Sequence, residues 1–509
     1  MAKFFITTPI YYVNDVPHIG HAYTTIAADV VARYHRLKGD DVFFLTGTDE
    51  HGAKIAEAAE AHGQTPREFV DSIASRFQTA WRELDISHDY YVRTSDQRHV
   101  DGARRLLSRL YEAGAIYKGI YSGKYCVGCE RFLAEDELTA DGLCPDHLKP
   151  PIPYSEENYF FKLSSYRETL IRAISNPLDR NHYEIEPPAR RNEILGKLRS
   201  ELHDLSISRA SVKWGIPLPW DESQTCYVWF EALMNYVTAI GFADEPDTFA
   251  TYWPADIHLM AKEILWFHSV IWPAMLIATG LPVPRKVYAH GFFTLNGRKM
   301  SKTLGNVIAP RELVDRYGAD ASRYLLLSEF PFGIDGNVSI DSFNVRYNAD
   351  LANDLGNLVN RAVSMANRYF DGTIPIGAVS ATDVDRDLAS VCAALSAIVS
   401  RALDGLEFST AAESIRGAVA RTNRYIDTMQ PWALAKSDRE RLAIVLAHVL
   451  EALRLIGTVL RPFIPNRAES LLRQIGVDPA NPGATAWTAD RPITRVTERP
   501  EPLFPRLES

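Results

Sequence analysis

The feature that most limits what this chain can become is a strand that feeds a helix through Pro17-His18-Ile19-Gly20-His21. Phe4 to Val13 is rich in aliphatic, aromatic and Thr residues, which predicts a buried strand, and Tyr23 to Leu37 places Ile26, Val30, Tyr34 and Leu37 at helical spacing. The H-x-G-H tetrad therefore falls at a strand-to-helix turn. Pro17 suits a helix's first turn, Gly20 admits close approach to the backbone, and histidines three apart share a helix face. A helix start, with its N–H groups and positive dipole end, suits a phosphate. On their own, two neighbouring histidines fit a purely structural role equally well.

A short apolar run, Asp41 to Thr46, then delivers Gly47-Thr48-Asp49-Glu50-His51-Gly52, the pattern of a second strand bringing a polar loop to the ligand edge of a parallel sheet. Helical patterns follow over Pro66 to Leu84 and Val100 to Ala113, the second closed by Gly114. From Ile116 to about Thr225 short strands and prolines predict a module inserted into the sheet. Strand patterning resumes at Cys226-Tyr227-Val228-Trp229, Asp256 to Met260 and Lys286 to His290, with a long apolar helix before the last. Ala309 to Tyr317 and Ala319 to Ser328 read as helices, and from Asp350 the pattern is helical almost to Leu472, broken by a loop over Asp371 to Thr382. The final thirty or so residues are rich in Pro and Arg and predict an irregular tail.

A chain of 509 residues exceeds the size at which one core stops growing, so roughly two to four units are expected. Its 46% apolar and 23% charged content is that of a globular protein. A net charge of -9 does not bar nucleic acid, because binding depends on local basic patches. Ile264 to Val283 is long enough to span a bilayer, but Glu263, His268 and Pro273 favour a helix buried in an α/β domain. Lys3 leads straight into a strand and not into a secretion signal, so a cytoplasmic protein is expected.

Five cysteines give no disulfide framework, yet four positions have metal spacing. Cys126-Val127-Gly128-Cys129, then fourteen intervening residues, then Cys144-Pro145-Asp146-His147 supply three thiolates and one imidazole. That donor set fills a tetrahedron and predicts one closed structural zinc ion that braces the insertion. Cys226 and Cys392 have no such partners and are expected in the core.

Some 280 residues beyond the H-x-G-H turn stands Lys299-Met300-Ser301-Lys302-Thr303. Together the two stretches resemble the HIGH and KMSKS signatures of class I aminoacyl-tRNA synthetases, with Thr303 where that family usually has Ser. Further pieces in the same order narrow the resemblance to the methionyl family, over nearly the whole chain. It implies a Rossmann-like α/β catalytic domain split by a zinc-binding insertion and followed by an all-α anticodon-binding bundle. The expected divisions are 1–115 and 226–292 for the two catalytic halves, 116–225 for the insertion, 293–349 for the KMSKS loop and stem-contact region, 350–478 for the bundle and 479–509 for the tail.

The resemblance also implies the reaction: ATP-dependent activation of L-methionine to methionyl-adenylate, then transfer to the 3′ end of tRNA(Met), initiator included. His18, His21, Lys299 and Lys302 are implied to be catalytic, with Tyr12, Gly20 and Glu263 completing the ATP site and Mg2+ accompanying ATP. Here the chain has Ala261 and Glu263 where relatives have Gly and Asp. Asp49 is implied to take the substrate ammonium, and Ile10, Tyr12, Trp229, Ala232, Tyr236, Phe267 and His268 to form the methionine slot, in which a tyrosine hydroxyl grips the thioether sulfur. Arg209 matches a conformationally active arginine with Asp49 as its partner. Asn357, Arg361 and Trp432 match the readers of a CAU anticodon, where amide, guanidinium and aromatic groups suit unstacked bases. A monomer without DNA or membrane partners is implied. A class I synthetase for another apolar amino acid, an H-x-G-H nucleotidyltransferase acting on a small metabolite, and an inactive RNA-binding relative are the alternatives. The lack of a large editing insertion, the helical domain and the intact signature residues weigh against them in turn.

Overall fold

A computed structural model describes residues 2–129, 131–133, 137–295, 297–299, 307–375, 381–483, 485–488 and 495–507. The chain divides into two compact units: Met1–Pro17, Asp40–Thr79 and His88–His290 in the first, and His18–Gly39, Ala80–Ser87 and Gly291–Ser509 in the second.

The first unit is built on a six-stranded parallel sheet. Strands β1 (Lys3–Tyr12), β2 (Asp41–Asp49) and β3 (Tyr90–Arg93) run outward from β1 on one side; Ile257–Ala261, Lys286–His290 and Glu184–Glu186 continue on the other. Both faces are covered, so the strands read as apolar runs, with Phe5, Ile6, Phe44, Leu45, Val287 and Ala289 buried. The chain moves away from β1 in both directions, which places a ligand-binding switch point at the carboxyl ends of β1 and its neighbour Ile257–Ala261. Register sets Ile10 opposite Gly47 and Tyr12 opposite Asp49 at that end.

Two expectations change here, one is refined and one helix is new. Glu184–Glu186, inside the stretch expected to be wholly inserted, joins the main sheet beside Lys286–His290, because a three-residue edge strand leaves almost no pattern to read. Cys226 to Trp229 is not a strand: the strand is Asp221–Cys226, and Val228–Ala232 is a helical turn. Short apolar runs carry no period that separates the two. The apolar helix before Lys286 is present and runs without interruption from Lys262 to Ala278, with a 3-10 turn at Lys262–Ile264, a π-turn at Phe267–Ile271 and an α-helix at Trp272–Ala278. Pro273 has no N–H to give, and the widened π-turn lies just before it. A nine-residue helix, Ala53–Ala61, follows Gly52; only Ile55 and Ala59 are buried, too few to mark it in the sequence.

The second unit contains helix α1 (Ile19–Lys38), a small sheet of Phe293–Leu295, Arg298–Lys299 and Gly336–Val338, and a helical bundle. α1 begins four residues before the expected Tyr23 because its cap is part of the H-x-G-H motif. The bundle runs through Asn357–Phe370, Asp383–Asp404, Phe408–Met429, Pro431–Ser437, Arg439–Leu460 and Pro465–Gln474. Among the described residues Arg439–Leu460 is the helix long and apolar enough to cross a membrane, and 89% of its apolar window is buried. It is the bundle's core helix. The tail has neither helix nor strand over 495–507, yet Val496, Leu503 and Phe504 are buried.

A buried carboxylate ties this unit together. Asp29, halfway along α1, lies 2.7 Å from both Arg33 and Arg323, and its other oxygen accepts the Ser87 N–H and hydroxyl at 2.6 Å. Arg323, itself fully buried, also donates to the carbonyls of Phe463 (3.0 Å), Pro462 (2.8 Å) and Leu84 (3.2 Å). Burial alone pushes the Asp29 pKa up, but Arg323, then Arg33 and the Ser87 hydrogen bonds, bring it below the ordinary carboxyl value. A depressed folded-state pKa stabilises the fold above the unfolded carboxyl range, and this is lost as pH falls through the depressed value. Removing one partner of such a group leaves an under-compensated buried charge. Arg323→Met is expected to lose about 3–5 kcal/mol in urea unfolding at neutral pH; an unchanged midpoint would contradict this role.

Candidate active site and metal centre

The H-x-G-H turn closes on itself. His18 is the extended cap of α1, its Nδ1 accepting the Gly20 N–H at 3.1 Å, while His21 Nδ1 accepts the His18 N–H at 3.2 Å. The rings stack at 3.8 Å between centres. Because each Nδ1 is an acceptor, each neutral ring carries its proton on Nε2. Burial lowers both pKa values, His21 well below the ordinary histidine value with a further contribution from His18, so both rings are neutral at pH 7. Two Nε2–H donors are thus fixed at a helix start.

The lysine-bearing stretch joins the same helix at both of its ends. Lys299 pairs in an antiparallel hairpin with Thr294, and Phe293, one residue before Thr294, packs on Tyr23 of α1 at 4.3 Å. On the return, the Ile308 carbonyl accepts the Ile19 N–H at 3.0 Å, inside the H-x-G-H motif. Lys302, with 300–306, lies outside the described residues, as does the Lys299 side chain. Gly297, with a φ of 75°, supplies the turn between the hairpin strands.

In the first unit, the carboxyl ends of β1 and β2 bring Ile10, Tyr12 and the buried Asp49 together. Trp229 and Ala232 lie on the Val228–Ala232 turn, and Trp229 packs edge-on against Phe267 at 4.8 Å. The Tyr236 hydroxyl is 2.7 Å from His268 Nε2. Glu263 is exposed just beyond the strand Ile257–Ala261. Arg209 is buried, with one guanidinium nitrogen donating to the carbonyls of Ser206 and Ser208 and its plane 4.8 Å from the Tyr227 ring centre.

Sequence reading missed what holds these residues together. Glu231, fully buried on the same turn as Trp229, takes His51 Nδ1 at 2.7 Å and His99 Nε2 at 2.8 Å, so the turn is tied to the loop that carries Asp49. Glu50 is held by Arg93 at 2.7 and 2.9 Å. The available signal was a glutamate inside the apolar run Tyr227 to Ala232, since a charge there needs a partner.

The four metal-spaced residues do converge. The ligand atoms of Cys126, Cys129, Cys144 and His147 lie within 4.8 Å of one another. Cys129 Sγ is 3.4 Å from Cys144 Sγ, and His147 Nδ1 is 3.3, 3.8 and 3.9 Å from the sulfurs of Cys129, Cys144 and Cys126. A tetrahedral ion with bonds of roughly 2.0–2.3 Å separates its ligands by roughly 3.5–3.8 Å, so the cluster can hold a metal. Gly128 is required, since a Cβ there would stand 2.5 Å from the His147 ring. Cys226 and Cys392 are buried free thiols, as expected.

In the helical unit, Asn357 and Arg361 line a groove of about 880 Å³ with Asn360, Asn423, Arg424 and Arg506. Arg361 pairs with Asp427 at 2.7 Å. Trp432, 46% exposed at the start of Pro431–Ser437, is not among the groove-lining residues.

A parallel sheet with a central switch point, and a first strand leading to an imidazole-capped helix, define a nucleotide-binding α/β enzyme. The comparisons with known proteins are specific. Residues 4–150 and 147–363 match the family described as tRNA synthetases class I (M), and residues 374–506 match the anticodon binding domain of methionyl tRNA ligase. The chain is 47% identical to the methionine–tRNA ligase of Caldanaerobacter subterraneus subsp. tengcongensis over 99% of its own length and 79% of that protein. It is 41% identical to that of Streptomyces coelicolor over 99% and 97%. Mycobacterium tuberculosis methionyl-tRNA synthetase in complex with methionyl-adenylate matches with a TM-score of 0.94 at 38% identity, over 99% of this chain and 100% of that one. The chain therefore belongs to the class I tRNA synthetases, and within them to the methionine–tRNA ligases.

The metal cluster offers a direct test. Gly128→Ala drives a methyl group into the His147 ring, so the purified variant is expected to carry less metal per chain than wild type by elemental analysis. Gly196→Ala, where a Cβ meets open space, should not. Equal metal content in the two variants would contradict the assigned role of Gly128.

Proposed function

We propose that the chain joins methionine to ATP and then passes the methionyl group to the 3′ end of tRNA(Met), the initiator included. The observation that carries this is the neutral His18–His21 pair, two fixed Nε2–H donors at a helix start that is joined to both flanks of the lysine-bearing stretch. The methionine carboxylate, already ionised at neutral pH, attacks the α-phosphorus of ATP; a carboxylate O–P bond forms, the bond to the β-phosphate oxygen breaks and pyrophosphate leaves. A terminal ribose hydroxyl of tRNA then attacks the activated carbonyl and AMP departs. No strong base is needed for the first step. The protein's part is positioning and charge stabilisation of the in-line transfer.

In this reading His18 and His21 hold the phosphates, Lys299 and Lys302 follow the pyrophosphate, and Tyr12, Gly20 and Glu263 complete the site for ATP, which enters as its magnesium complex. Asp49 takes the ammonium, and Ile10, Tyr12, Trp229, Ala232, Tyr236, Phe267 and His268 take the side chain, with Arg209 adjusting to the ligand. Zinc is the ion that three thiolates and an imidazole suit best, and with four protein ligands it has a structural role only. Asn357, Arg361 and Trp432 read the CAU anticodon; the match of residues 374–506 to the ligase anticodon domain supports this for the segment that carries Trp432, while Asn357 and Arg361 precede it.

The experiment is amino-acid-dependent exchange of pyrophosphate with ATP, screened over the standard amino acids. Exchange is expected with methionine alone, and His21→Ala is expected to lower its rate by about 10²- to 10³-fold. Near-normal exchange in that variant would remove the phosphate role assigned to His21.

A further inference from the structure

Three buried titratable groups of the first unit have no part in the proposed reaction. Glu231 is fully buried, and His51 and His99 are nearly so. A carboxylate can only accept, so His51 Nδ1, 2.7 Å from one Glu231 oxygen, and His99 Nε2, 2.8 Å from the other, are both donors. Burial pushes the Glu231 pKa up, but His51 and then His99 bring it below the ordinary carboxyl value, so Glu231 is an anion at neutral pH. Both of its oxygens are taken, and a shift of either partner would strand a buried charge.

The two donors differ in what they are attached to. His99 lies in the helix Gln97–Glu112, and its Nδ1 is 2.9 Å from the Thr238 hydroxyl. One turn further along, Gly102 packs so close to Thr238 that a Cβ there would stand 2.5 Å from the threonine methyl group. This side of Glu231 is a rigid base. His51 belongs instead to the loop that leaves β2, two residues beyond Asp49. Asp49 is the last residue of the ladder, opposite Tyr12, with its carbonyl accepting the Val13 N–H at 3.2 Å. Past it β2 ends and side chains hold the loop: the Trp214 indole N–H donates to the Glu50 carbonyl at 2.5 Å, and His51 reaches Glu231.

We propose that His51 and Glu231 are positioning residues for the amino-acid substrate: they set the Asp49 loop at a fixed distance from the turn that carries Trp229, and so place the Asp49 carboxylate for the substrate ammonium. The inference rests on the reading of Asp49 as the group that takes the ammonium. Ammonium and side chain leave the same carbon of an amino acid, so one molecule reaches both groups only where their separation is fixed. Glu231 stands between Trp229 and Ala232 on that turn, and His51 carries its hold across to the loop. A charge-assisted hydrogen bond depends on exact placement, and a displacement of about 1 Å can cost about 10²-fold. ATP makes no use of Asp49 in this reading, so its binding does not depend on the link.

The test is the KM for methionine and for ATP in pyrophosphate exchange. His51→Leu removes the donor and is expected to raise the methionine KM by about tenfold or more while leaving the ATP KM unchanged. His51→Asn, whose amide nitrogen stands near the place of Nδ1, is expected to recover most of that loss. Because His51 acts through Asp49, His51→Leu is expected to add little to the KM of Asp49→Asn, although each raises it alone. A full further increase in the double variant, or equal increases for methionine and ATP, would overturn the proposal. A raised methionine KM in Asp49→Asn beside an unmoved one in His51→Leu would also overturn it and leave the ammonium reading standing. An unmoved methionine KM in Asp49→Asn would remove that reading and the proposal with it. If His51→Leu does not fold, His51→Gln decides, because its amide nitrogen stands near the place of Nε2: a methionine KM severalfold above that of His51→Asn supports the proposal, and equal values overturn it.

Discussion

Asp29 is the charge around which the second unit is arranged. A carboxylate fully buried midway along a helix is untenable unless cations and N–H groups surround it, and here Arg33, Arg323 and Ser87 do so at 2.6–2.7 Å. The same arginine takes the carbonyls of Pro462 and Phe463, at the end of the bundle's core helix. One ion set therefore fixes α1 against the helical bundle, and with it the direction in which the helix start points. An ion pair of this kind gives little net stability compared with an apolar contact. What it supplies is a unique placement, because any shift of α1 strands a charge.

That placement matters because the chemistry of a methionine–tRNA ligase is chiefly geometric. Activation uses a nucleophile that is already ionised, so the protein gains most by holding donors where charge accumulates. The histidines at the head of α1 are set as donors by their local bonding. Each Nδ1 is spent on a backbone N–H of the turn, so each Nε2 is a donor without any need for protonation, and burial keeps it so. The rings of Phe293 and Phe332 around Tyr23 seat the neighbouring hairpin on the same helix. In the first unit the equivalent support is Glu231, which joins the Asp49 loop to the Trp229 turn through His51.

Much of this is legible in the sequence where chemistry depends on spacing. The H-x-G-H turn, the parallel sheet and the Cys126, Cys129, Cys144 and His147 cluster can be read from local pattern, since ligands or caps a few residues apart leave a local signature. Contacts between distant residues leave none. Nothing in the chain around Glu231 points to His51 and His99, which are 180 and 132 residues away. Asp29 reads as one more residue of an amphipathic helix until Arg323 arrives from nearly 300 residues later. Elements went astray where the signal was short or uniform: the edge strand Glu184–Glu186 and the apolar run at Cys226 to Trp229. Lys302, the other half of the sequence argument, lies outside the described residues.

A crystal structure of the protein with a stable analogue of methionyl-adenylate tests the central claim most directly. The expected result puts the phosphate-replacing group within about 3.2 Å of an imidazole Nε2 of His18 or His21. An analogue bound in an ordered site with its phosphate position remote from both histidines would contradict it.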